Sequence, residues 1–88
     1  MELSKRRKKI DKIDSKLLRL ISQRILVVKE IGKIKELKNL PIKDPKREKE
    51  RINRLSEEGR ALGLTSEMIG KIWRTLFQIS YKIEKIDE

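Results

Sequence analysis

The chain has 88 residues, of which 36% are hydrophobic and 43% charged, with a formal net charge of +10. That length supports a single domain with a small core, so residues 1–88 are read as one domain. Cysteine and histidine are both absent, which removes disulfides, thiolate and Ser-His-Asp nucleophiles and the usual zinc sites; arginine, lysine, carboxylates, hydroxyls and backbone must carry any chemistry.

The positive charge calls for an anionic partner: nucleic acid, a membrane surface or a small polyanionic metabolite. No apolar run approaches the ~20 residues of a membrane span. The basic start, MELSKRRKKIDKID, is not followed by the apolar run and cleavage site of a signal peptide, and a cytoplasmic location is expected. High lysine, glutamate and isoleucine content without cysteine leans toward a thermophilic protein.

The first element is a long helix over residues 4–37. Ile10, Ile13, Leu17, Leu20, Ile21, Ile25, Val28, Ile31 and Ile34 recur at helical spacing. Its one glycine, Gly32, is tolerable in so long a helix, and Pro41 is expected to stop it. Asp44 is a good N-cap and Pro45 suits the first position of a second helix, which runs to about Leu62 through Ile52 and Leu55. Gly63 suits the left-handed position after a helix. Thr65 caps a third helix carrying Met68, Ile69, Ile72, Trp73, Leu76, Ile79 and Ile83. No stretch has a period of two, so the class is all-α with three helices per chain. The ends, MELSK and EKIDE, are expected to fray.

A helix of about 34 residues is roughly 50 Å long. A compact chain of this size has a radius of gyration of about 12 Å and a diameter near 30 Å. The helix must overhang its own globule, and its apolar stripe continues along the overhang. A second copy packed antiparallel around a twofold axis would cover it, giving an intertwined homodimer.

Two cations interrupt that stripe. Arg24 falls in the column 10, 17, 24, 31, and Lys35 in the column 14, 21, 28, 35. They are separated by about 16 Å of rise and about 20° of rotation, so both can converge on a small anion. Alternatively both snorkel, with their stems on apolar surface and their heads in water. A buried cation needs a partner, and a ligand carboxylate would serve. Ser80 and Glu84 share one face of the third helix. The reversal LPIKDPKREKER has eight charged residues in twelve. Asp44, Arg47 and Glu48 there stand at a helix start, where free N–H groups favour oxygen-rich ligands. Each is an ordinary cap or surface group alone; gathered around one cavity they would make a site.

The ordered set RKKIDKIDSKLLRLISQR, KEIGKIK, LPIKDPKRE and IWRTLFQISYKIE, spread over residues 3–86, resembles the all-helical class of chorismate mutases. The resemblance implies three-helix chains in an intertwined dimer. It implies the intramolecular pericyclic rearrangement of chorismate to prephenate, in phenylalanine and tyrosine biosynthesis, with no covalent intermediate, metal or cofactor. Its active-site pattern falls on Arg7, Arg24, Lys35, Asp44, Arg47, Glu48, Ser80 and Glu84. The resemblance implies that Arg24 and a partner's Arg7 grip the two substrate carboxylates, with Ser80 assisting. Lys35 donates to the ether oxygen, Glu48 and the Asp44 backbone hold the ring hydroxyl, and Arg47 buttresses Glu48. Arg7 lies about 25 Å and about 100° from Arg24 along one helix, so it can serve only the partner subunit's site. Glu84 departs from the commonest pattern, which has Gln. An ionised carboxylate has no donor, so Glu84 can bond the ether oxygen only when protonated, and activity is expected to fall as pH rises.

Three other readings stay open. Isochorismate–pyruvate lyases share the fold and the cationic pocket, although the pattern, matched in type at seven of its eight positions, favours the mutase. A nucleic-acid binder could use KRRKK at 5–9, but 3% aromatic residues leave little to stack on bases. A non-catalytic dimerisation module gives no reason for Arg24 and Lys35 in the stripe. No second domain, and so no feedback regulation, is expected within 88 residues; association with another aromatic-pathway enzyme remains open.

Overall fold

The computed structural model describes residues 2–86, Ile86 by its backbone alone; Met1, Asp87 and Glu88, and the fraying expected of them, lie outside the described residues. Three helices follow one another: α1 Glu2–Leu37, α2 Pro45–Arg60 and α3 Ser66–Ile86, with no strand among the described residues. The all-α reading with one very long helix therefore holds. α1 starts two residues earlier than expected. Glu2 places a negative charge at the helix start and pairs with Arg6 at 3.2 Å, so this part of MELSK is helical rather than frayed.

The stop of α1 differs from the expectation. Pro41 does not end it. Asn39 adopts the left-handed conformation, φ 55°. Its N–H bonds the Glu36 carbonyl at 3.2 Å, and the Leu40 N–H bonds the Lys35 carbonyl at 2.8 Å. These two bonds satisfy carbonyls that the helix end would leave open, and Pro41 comes only after the chain has turned. α2 ends the same way. Gly63 sits at φ 79°, and the Leu64 and Gly63 N–H groups reach the carbonyls of Gly59 and Arg60 at 2.9 and 3.3 Å. The caps fall where expected: Asp44 Oδ1 accepts the Arg47 N–H, and Thr65 Oγ1 accepts the Met68 N–H, each at 3.2 Å.

α3 is the central element, packing on both α1 and α2, which do not pack on each other. The core is thin: Val28, Leu55 and Ile69 are its buried apolar residues. Gly32 has a sharper role than the tolerated residue expected. A Cβ there would lie 3.0 Å from the Cα of Glu84, so only glycine lets the α1 and α3 backbones come this close without a shift.

The molecule measures 55 × 26 × 15 Å with a radius of gyration of 16.1 Å, well above the ~12 Å of a compact chain this long. The cause is α1. Every described residue from 2 to 23 is exposed, including Ile10, Ile13, Leu17, Leu18 and Leu20, each at least half so. Only from Arg24 onward does α1 gain cover from α3. No helix among the described residues is long and apolar enough to cross a membrane.

Candidate active site

Where α1, α3 and the start of α2 come together, they line an open-sided pocket of about 170 Å³. Arg24 and Lys35 line it from α1, Asp44, Arg47 and Glu48 from the α2 start, and Ser80 and Glu84 from α3. Seven of the eight residues singled out in the sequence thus share one cavity. Arg7 does not: it sits on the exposed part of α1, about 25 Å along the helix from Arg24.

Arg24 is held in place by Ser80, whose Oγ accepts from Arg24 Nη1 at 2.5 Å. The Ser80 hydroxyl proton goes to the Leu76 carbonyl, 2.8 Å away, so the buried serine is purely an acceptor toward the guanidinium. Burial pulls the Arg24 pKa down and the Glu84 carboxylate pulls it back up; the guanidinium stays charged in any case.

Lys35 donates to the Ile42 carbonyl at 2.6 Å, which ties the end of α1 to the loop before α2. Its ammonium is also 2.6 Å from Glu84 Oε1. That approach lies outside hydrogen-bond geometry, so the pair is held by charge and Oε1 has no aligned donor. The Glu84 side chain is only 4% exposed. A buried carboxylate oxygen without an aligned donor is uncommon in folded proteins and often marks a ligand or proton position.

The third wall is the α2 start, with Glu48 partly buried one turn into the helix. The Asp44 N–H, one of the free donors of a helix start, goes to the Tyr81 hydroxyl at 3.2 Å. Burial raises the Tyr81 pKa, the Asp44 N–H lowers it, and the Glu48 and Glu84 carboxylates raise it further. The Lys35 ammonium lies 5.8 Å from the Tyr81 ring centroid, within reach of a cation–π attraction.

Sequence reasoning missed Phe77 and Tyr81, which line the same pocket. The signal was present: Phe77, Ser80, Tyr81 and Glu84 follow the i, i+3, i+4, i+7 spacing of one helical face. Val28 and Ile31 complete the apolar part of the wall from α1.

An all-α scaffold that lines one small pocket with three cations and three carboxylates, in a chain without cysteine or histidine, defines a class. Such a pocket suits a small, oxygen-rich anion held by position and electrostatics.

The comparisons make this specific. The family model for chorismate mutase type II matches residues 6–85, and the chain belongs to that family, a family of isomerases. It is 39% identical to the chorismate mutase of Methanocaldococcus jannaschii over 88 residues, 96% of this chain and 85% of that protein. It is also 39% identical to the bifunctional chorismate mutase/prephenate dehydratase of Aquifex aeolicus over 87 residues, 96% of this chain. A T-protein of Enterobacter agglomerans is 35% identical over 83 residues. The chain spans 24% of the Aquifex protein and 22% of the T-protein. No solved structure matches the chain significantly.

Proposed function

We propose that this protein converts chorismate to prephenate by an intramolecular pericyclic rearrangement, in a homodimer whose two sites each borrow Arg7 from the partner. What supports the reading most is that one pocket gathers Arg24, Lys35, Asp44, Arg47, Glu48, Ser80 and Glu84 in a member of the chorismate mutase type II family.

In this reading Arg24, steadied by Ser80, forks onto one substrate carboxylate, and the partner's Arg7 takes the other. Lys35 has three donors. One is spent on Ile42 and one faces Glu84, which leaves one for the ether oxygen where negative charge grows as the bond breaks. A donor placed there, once the substrate fills the pocket, is worth several kcal/mol of barrier, of the order of 3. Glu84, beside Lys35, faces the same oxygen and gives it a second bond only through a carboxyl proton. Glu48 accepts from the ring hydroxyl, with Arg47 supporting Glu48. The enzyme supplies no nucleophile; it selects the folded conformer and stabilises its transition state. A cytoplasmic location belongs to the same reading.

The test is turnover with purified protein, first on chorismate and then on isochorismate, with products separated by chromatography. Prephenate from chorismate is expected. Pyruvate and salicylate from isochorismate, with no turnover of chorismate, would move the assignment to the lyase.

A further inference from the structure

The Asp44 N–H assigned to the ring hydroxyl is already engaged. It donates to Tyr81 Oη at 3.2 Å, and the Tyr81 side chain forms part of the pocket wall together with Glu48. A phenol that accepts from a backbone N–H keeps its own O–H proton to give. The Glu48 carboxylate lines the same pocket and has acceptor oxygens to offer there.

We infer that Tyr81 is a specificity-determining residue that reads the ligand's ring hydroxyl in place of the Asp44 backbone. The ligand hydroxyl inserts between Tyr81 and Glu48, accepting from the Tyr81 O–H and donating to the Glu48 carboxylate. The Asp44 N–H acts through Tyr81 as the first member of the chain. Each bond in such a run polarises the next, so the backbone donor strengthens the phenol's hydrogen bond. All donors and acceptors are matched: the N–H to Oη, the phenol proton to the ligand oxygen, the ligand proton to the carboxylate. Lys35 on the ring and the Asp44 contact fix the phenol from two sides, so it meets the ligand pre-positioned.

This inference rests on the chorismate reading, and the experiment separates the two. Tyr81→Phe keeps the ring and removes only the hydroxyl. KM for chorismate, kcat, and the inhibition constant of the chorismate analogue lacking the ring hydroxyl are measured for wild type and variant, with helicity checked by circular dichroism. The variant is expected to raise KM for chorismate about tenfold, with kcat within about twofold. The inhibition constant of the hydroxyl-free analogue should stay within about twofold, since that ligand never had the bond. An unchanged KM would overturn the inference, as would equal weakening of both ligands, which would make Tyr81 a shaper of the pocket only. A wild type that turns over chorismate beside an unaltered Tyr81→Phe would refute this inference alone. A wild type that binds neither ligand would overturn the functional reading and the inference together.

Discussion

At the scale of single residues, the proposed chemistry turns on Glu84. It is buried, faces Lys35 and leaves Oε1 without an aligned donor. A protonated carboxyl can donate to an ether oxygen, and an ionised one cannot. An amide donates at every pH, so kcat/KM of Glu84→Gln is predicted to depend less on pH than that of the wild type, a difference read from paired pH–rate profiles. Identical profiles would remove Glu84 from the donor role. Arg24 and Lys35 were legible in the sequence because a cation inside an apolar column breaks a pattern that is otherwise regular. Tyr81 was not, because an aromatic on the inner face of α3 fits a core as well as a pocket; only the Asp44 contact tells them apart.

At the scale of elements, the site exists because α1 and α3 come close at Gly32. Replacing it with alanine sets two effects against each other. Helix propensity improves by about 1 kcal/mol, while a methyl 3.0 Å from the Glu84 Cα overpacks the contact at a cost of about 1–3 kcal/mol. The obstacle is backbone, so the helices must separate, and Glu84 moves away from Lys35. Gly32→Ala is therefore predicted to lower kcat/KM about tenfold while the melting temperature shifts by only a few degrees, checked by kinetics and thermal denaturation on one preparation. Helix identity and the caps Asp44 and Thr65 could be read from residue pattern alone. The end of α1 could not, because Asn39 reaches the left-handed region less freely than glycine and Pro41 offered a stronger but misplaced signal. The meaning of Gly32 was hidden too, since its neighbour Glu84 is 52 residues away in sequence.

The whole molecule is extended because α1 is longer than the rest of the chain can cover. The overhang was legible from length and periodicity, and the exposed stripe of Ile10, Ile13, Leu17 and Leu20 agrees with it. A second copy, laid antiparallel, would bury the stripe and carry Arg7 across to the other pocket. The +10 charge would then help draw a dianionic substrate toward both sites.

The most direct test of a site shared between two copies is complementation. Arg7→Ala and Arg24→Ala are each prepared alone, then mixed in equal amounts under conditions that let subunits exchange, and chorismate turnover is followed. Each variant alone should be nearly inactive. A mixed dimer regains one intact site, with Arg24 from one subunit and Arg7 from the other, so an equal mixture should recover about a quarter of wild-type activity. A mixture no more active than its components, once mixed dimers are verified by mass spectrometry, would contradict the shared site.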